Sequence, residues 1–183
     1  AEAAGNLKDA MVYEVGPGPG GLTQALLETG LRKLVAVEND FRCAAALEEL
    51  GRSYSGRLRV VLANAVDVDE TRYMPLGSHI VANLPYNIAT LLLLKWLRSA
   101  NRYASMTLMF QKELAERIAA IPITSSYGRL SVVSQWLCET RCLFDIPRQA
   151  FVPPPKVTST LIQLVPKPMV VTPAEFSTLE DVT

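Results

Sequence analysis

Histidine is nearly missing from this chain: the 183 residues include one, His79. A lone imidazole cannot build a His-based metal site or a Ser-His relay, so no metal and no Ser-His chemistry are expected. Cysteine is scarce too. Cys43, Cys138 and Cys142 contain no C-x-x-C pair, which excludes a dithiol redox motif and leaves buried free thiols as the expectation. Net charge is also lacking, because 18 basic side chains offset 18 acidic ones. No whole-molecule field pulls the chain onto a polyanion, and nucleic-acid contact must rest on a local patch. No apolar run reaches the roughly 18 residues needed to span a bilayer, and the N-terminus lacks the basic-then-apolar layout of a signal peptide, so a soluble chain without a membrane partner is expected.

What remains is ordinary globular material, 49% apolar and 20% charged. A single domain of this length buries roughly 70% of the surface its unfolded chain exposes. Short β-branched runs stand at 11–15 ("MVYEV"), 33–38 ("KLVAVE"), 58–63 ("LRVVLA"), 79–84 ("HIVANL") and 104–110 ("ASMTLMF"). Segments of helical spacing alternate with them, including "GLTQALLETG", "FRCAAALEELGRSY" and a helix over 88–100. Alternating strand and helix predicts an α/β fold with a parallel sheet, helices on both faces and right-handed crossovers. Farther on, the spacing predicts helices over 112–121, closed by Pro122, and over 130–139. Two closing strands follow at 141–146 and 159–165, pairing as an antiparallel edge hairpin. The three-proline run between them cannot donate to a sheet ladder and reads as an ordered loop.

Two motifs carry chemistry. "EVGPGPGGLT" (14–23) follows the first strand and opens a helix, and its glycines let a ligand approach the backbone closely. Glu38 ends the second strand about 20 residues later, where a carboxylate accepts hydrogen bonds from ribose hydroxyls. Together they predict a nucleoside-cofactor site, for a dinucleotide or for S-adenosylmethionine. "NLPY" (83–86), after the fourth strand, separates the two. The Asn83 amide and the Leu84 carbonyl can both accept hydrogen bonds from an exocyclic amino group, Pro85 stiffens the backbone, and Tyr86 offers a face on which a base can stack. That combination suits an amino-bearing base brought out of its stack, not a nicotinamide. Glu14 reads as ordering the glycine loop, and Asp67 and Asp69 as a solvated turn. Lys112, Arg117, Arg129, Arg148 and Lys156 are candidates for a phosphate-binding patch near the pocket mouth.

At this point the chain resembles the small-subunit rRNA adenine N6,N6-dimethyltransferases (KsgA-like). "EVGPGPGGLT", "VAVEND", "VANLPYNIAT", "MFQKELAERI", "YGRLSVVSQW" and "AFVPPPKV" occur in the family's order and approximate spacing. The resemblance implies a Rossmann-like class I methyltransferase with a mostly parallel seven-stranded sheet over 1–168. Residues 169–183 would then start a truncated C-terminal helical domain. It implies S-adenosylmethionine as cofactor, held by Glu14, Gly16, Gly18, Glu38, Asn39, Asn64, Ala65 and Asn83. The catalytic set would be Asn83, Leu84, Pro85, Tyr86 and Phe151, with Tyr86 and Phe151 sandwiching the target adenine. The implied partner is small-subunit rRNA or a pre-ribosomal small subunit, bound by a cytoplasmic monomer, or a mitochondrial one if the source is eukaryotic. The family's usual Asp in "LANAV" is here Asn64, a neutral and weaker acceptor. The family's N-terminal "QNFL" segment and most of its helical domain are expected to be absent, which reads as a catalytic-domain fragment. Two other readings stand beside this one: a large-subunit rRNA adenine methyltransferase, and a non-catalytic RNA-binding or transcription factor on the same scaffold. A DNA adenine methyltransferase fits less well, since the second motif position is Leu84 rather than proline.

Overall fold

The computed structural model describes residues 1–168 together with Phe176 and Thr178. Each β-branched run becomes a strand: β1 (Met11–Val15), β2 (Lys33–Glu38), β3 (Leu58–Leu62), β4 (Ser78–Asn83), β5 (Tyr103–Gln111), β6 (Cys138–Ile146) and β7 (Ser159–Pro166). They form one seven-stranded sheet in the order β3-β2-β1-β4-β5-β7-β6. The first five pair in parallel, whereas β7 runs antiparallel to both β5 and β6. The class I methyltransferase sheet with an antiparallel edge pair, expected from the sequence, is the fold. Among the described residues no helix is long and apolar enough to cross a membrane.

The two-residue period of a strand sends alternate side chains to opposite faces, and two apolar layers result. Val12 of β1 and Val81 of β4 join Leu26, Leu27 and Leu34 on one face. Their neighbours Tyr13, Ile80 and Ala82 join Leu92, Trp96, Phe110 and Ile162 on the other. The helices that cover these faces are α1 (Gly21–Glu28), α2 (Phe41–Arg52), α3 (Tyr86–Leu97), α4 (Lys112–Ile118) and α5 (Arg129–Leu137). Phe176 is buried in the second layer, with the Arg98 guanidinium 5.5 Å from its ring centroid. The expected start of a separate helical domain at 169–183 otherwise lies outside the described residues.

Three helix boundaries differ from the sequence reading, each for a local reason. Helix α3 starts at Tyr86 rather than 88, because Pro85 at φ −58 caps it with a dihedral already suited to the first turn. Helix α4 stops at Ile118, short of 121. There Ser131 donates to the Arg117 carbonyl at 2.5 Å, and Gln135 donates to the Ile118 and Ala120 carbonyls at 3.0 and 2.8 Å. Side chains of α5 thus satisfy carbonyls that a further turn would have used, while Ile121 is biased away from helix by Pro122. Helix α5 ends at Leu137, and the last strand pair begins at Cys138, because β7 offers partners as far as Pro166. The buried-thiol expectation holds only for Cys138: Cys43 is intermediate, and Cys142 is exposed because β6 is an edge strand.

Ile123 sits at φ 77 with its side chain fully exposed. A β-branched residue in the left-handed region is strained. Ile123→Gly is expected to raise stability by about 1 kcal/mol, since relief of that strain exceeds the added chain entropy. A higher urea midpoint at unchanged slope would bear this out, and a lower midpoint would contradict it.

Candidate functional site

The strand order places β1 beside β4, with β2 and β3 on one side and β5 on the other. Crossovers leave in opposite directions at that point, so a crevice opens at the carboxyl ends of β1 and β4. The glycine turn follows β1 and Asn83 ends β4, so both motifs meet at this crevice. Gly16 has φ +65, and a Cβ there would lie 3.3 Å from Pro85 Cδ and 3.8 Å from the Asn83 carbonyl oxygen. A side chain there would be strained by the positive φ and would require Pro85 to give by a few tenths of an ångström. Gly16 also donates its backbone N–H to the Val37 carbonyl at 3.0 Å, which ties the turn to β2.

Glu38 organises this end of the crevice. Its Oε2 accepts from Gly18 N at 3.0 Å, and its Oε1 accepts from Asn39 N at 2.7 Å and Asp40 N at 2.9 Å. A carboxylate has about four acceptor positions, so one remains, on Oε2, for a ligand hydroxyl. Glu38 therefore orders the glycine loop directly. Glu14 works from below: it is 1% exposed, its Oε2 accepts from the Thr23 hydroxyl at 2.8 Å, and its Oε1 has no partner among the described residues. Burial pushes its carboxyl up to about 8, the Glu38 charge adds to the rise, and Thr23 opposes it.

The sign of the resulting pH effect follows from proton counts. Between the ordinary carboxyl value and about 8 the folded chain holds a proton on Glu14 that the unfolded chain has lost, so stability falls as pH rises through that window. The full effect is on the order of 5 kcal/mol. Glu14→Gln is expected to flatten the dependence of the urea midpoint on pH between 5 and 8.5. An unchanged slope in the variant would show that the proton sits elsewhere.

Gly16, Glu38, Asn39, Asn64, Ala65, Pro85, Asn87 and Ile88 are among the residues that line a cleft of about 310 Å³. The Asn64 Oδ1 accepts from Val66 N at 3.2 Å, shaping the turn that carries it. On the other side of Pro85 lies a second cleft of about 270 Å³, lined by Asn83, Leu84, Pro85, Tyr86, Met109, Phe151, Pro153 and Pro155. Asn83 is exposed. The Tyr86 hydroxyl is 2.7 Å from the hydroxyl of Ser159, a fully buried residue at the start of β7. That bond fixes how the ring presents its face to the cleft.

The structure thus gathers five expected residues, Asn83, Leu84, Pro85, Tyr86 and Phe151, around one cleft. Gly16, Glu38, Asn39, Asn64 and Ala65 surround the other. Gly18 touches the site through Glu38, and Glu14 lies beneath it without lining either cleft. Asn87, Ile88, Met109, Pro153, Pro155 and Ser159 were missed. The register Asn83↔Met109 shows why Met109 is there, since it neighbours the motif across the β4–β5 ladder. The phosphate-patch candidates are only partly available. Lys112 lies 2.6 Å from Asp145, and Arg117 lies 2.6 Å from Glu113, whereas Arg129, Arg148 and Lys156 have no ion-pair partner among the described residues. Exposed pairs of this kind are weak. His79 is occupied structurally, its Nδ1 2.8 Å from the Ser105 hydroxyl. Asp69 caps a short helical turn and lies 3.4 Å from Arg72.

Comparison with known proteins places this geometry in context. Residues 2–183 match the family model described as ribosomal RNA adenine dimethylase. A "Ribosomal RNA small subunit methyltransferase A" of Paramagnetospirillum magneticum is 51% identical over the whole chain, which spans 65% of that relative's length. Among solved structures, a dimethyladenosine transferase from Plasmodium falciparum superposes with TM-score 0.80 at 32% identity, over 90% of this chain and 59% of that one. The 23S rRNA methyltransferase ErmE superposes with TM-score 0.79 at 27% identity, over 98% of this chain and 71% of that one.

Proposed function

The chain belongs to the ribosomal RNA adenine dimethylase family, and from that premise we propose that it transfers methyl groups from S-adenosylmethionine to the exocyclic amines of adenines in small-subunit rRNA, twice per base. The observation that carries this reading is the pair of clefts sharing Pro85 as a common wall. One is edged by a glycine turn and a ribose-competent carboxylate, the other by an amide acceptor and an aromatic face.

The residues fit the cofactor. At Gly18 a Cβ would meet nothing within 4 Å, so the loop backbone there lies open to a ligand, and Glu38 has an acceptor position to spare. Gly16 and its loop would hold the methionine part, Glu38 the ribose, and Asn64 with Ala65 the adenine. When bound, S-adenosylmethionine supplies an electrophilic methyl group. The chain's own contribution lies in positioning and in the acceptors it aims at the target. An adenine amine is a poor nucleophile because its lone pair is delocalised into the ring. Accepting its hydrogens at the Asn83 amide and the Leu84 carbonyl draws the nitrogen toward tetrahedral geometry. Tyr86 and Phe151 hold the base between them, and the Tyr86–Ser159 bond keeps one face of that sandwich in place. No strong base is needed, since the methylated ammonium is acidic enough to lose its proton to solvent. Oriented binding of two reactants supplies much of the acceleration.

Small-subunit rRNA or a pre-ribosomal small subunit is the proposed partner, the chain acts as a monomer, and its proposed location is the cytoplasm, or mitochondria in a eukaryotic source. The likeness to a 23S rRNA methyltransferase gives the large-subunit reading a specific observation in its favour. Incubation with labelled cofactor and undermethylated small subunits, with large-subunit rRNA in parallel, separates the readings. Dimethyladenosine in the small-subunit RNA alone supports the proposal. Label in the large-subunit RNA favours the alternative, and RNA binding without label in either favours a non-catalytic scaffold.

A further inference from the structure

We propose that Lys95 is a positioning residue for the cofactor, clamping the loop that carries Asn64 and Ala65 against the helix that opens with Tyr86. The inference rests on the reading of the 310 Å³ cleft as the S-adenosylmethionine site. Loop 63–65 forms one wall of that cleft, and Pro85, Asn87 and Ile88, at the start of α3, form another. Farther along α3, the Lys95 ammonium donates to the carbonyls of Ala65 and Val66, each at 3.2 Å, and to that of Val68. Its fourth neighbour is Glu70 Oε1 at 2.9 Å, which also accepts from Trp96 Nε1 at 2.9 Å.

The arrangement is specific to an ammonium. Its three N–H donors are shared among the carbonyls of Ala65, Val66 and Val68 in one turn and the Glu70 carboxylate beside them. The Asn64 Oδ1 bond to Val66 N and the Asp67 N bond to the Asn64 carbonyl are internal to it. They shape the turn, and Ala63 N donating to the Glu38 carbonyl at 2.9 Å together with burial of Ala65 and Val68 in the second apolar layer hold it against the sheet. Lys95 adds the tie from this turn to α3, and Glu70, only 8% exposed, balances its charge. Because α3 also carries Tyr86 at its first position, the clamp sets the distance between the adenine-side wall and the target-side motif. Lys95 lines neither cleft, so its effect passes through the loop.

The test uses the chain as it stands. Lys95→Met alone would strand Glu70 as a buried unpaired charge and risk unfolding, so it is combined with Glu70→Gln. Lys95→Arg is the second variant: it keeps the charge, but its planar fork cannot converge on three carbonyls. Calorimetric titrations with S-adenosylmethionine and with adenosine are run at a temperature where circular dichroism shows each variant folded. The double variant is expected to bind both about tenfold more weakly, and Lys95→Arg several-fold more weakly. A Leu27→Ala variant, which loosens the opposite apolar layer, should lose thermal stability while keeping the parent's affinity, separating placement of the loop from general destabilisation. Parent-like affinity in folded Lys95→Arg or in the double variant overturns the clamp and leaves the cofactor reading intact. A parent that binds no S-adenosylmethionine overturns the cofactor reading and the clamp with it.

Discussion

Asn83→Ala is expected to lower methyl transfer by about 100- to 1,000-fold, the range found when one preorganised acceptor or donor is removed from the place where charge develops. Asn83 ends β4 and lines the target-side cleft, so truncating its exposed side chain removes an acceptor without opening the core. Asn83 is not among the residues lining the 310 Å³ cleft, so the loss is expected to fall on the target side. The expected pattern is therefore specific: the rate constant of a single turnover collapses while affinity for S-adenosylmethionine stays within a few-fold of the parent and RNA binding is kept. Unchanged product yield would remove Asn83 from the role of amine acceptor. A collapse of cofactor affinity instead would move it into the cofactor site.

Glu38→Ala carries the second large effect, and it falls on binding. Three backbone N–H groups, those of Gly18, Asn39 and Asp40, lose a charged acceptor at once. Each such bond contributes roughly 1.5–3 kcal/mol, and Glu38 is 9% exposed, so water replaces it incompletely. The glycine turn then loses its tie to β2 on the Gly18 side, although the Gly16–Val37 bond remains. Loss of loop order and of the ribose acceptor together is expected to weaken S-adenosylmethionine by at least about 100-fold, read by titration. Glu38→Gln should recover only part of this, since an amide has one acceptor oxygen where the loop uses two. An affinity equal to the parent's in Glu38→Ala would place the cofactor elsewhere.

The sheet was legible because its strands are β-branched runs punctuated by turn residues, a signal carried by a few adjacent positions. The two motifs were legible for the same reason: each is a contiguous stretch whose residue types match the chemistry. What could not be read were contacts made between distant segments. Ser159 stands 73 positions from Tyr86, and Met109 enters only through the β4–β5 register. Lys95 looks like an ordinary solvated lysine until the turn after β3 folds onto it. Helix ends failed for a related reason. Gln135 and Ser131 cap α4 from a different helix, and periodicity within 112–121 holds no trace of them. Glu14 reads as ordering the glycine loop and bonds Thr23 at the loop's far end, while Glu38 bonds Gly18 within it. Both carboxylates stand at or next to the carboxyl end of a strand, and only the direction of each side chain separates their roles.

The central claim is that the cleft between Gly16, Glu38 and Asn64 receives S-adenosylmethionine against the Asn83–Tyr86 motif. Calorimetric titration of the chain with S-adenosylmethionine tests it most directly, with Asn64→Asp alongside. One molecule bound per chain, tightened in Asn64→Asp because a charged acceptor replaces a neutral one, is the predicted result. Absence of saturable binding in both proteins would contradict the account.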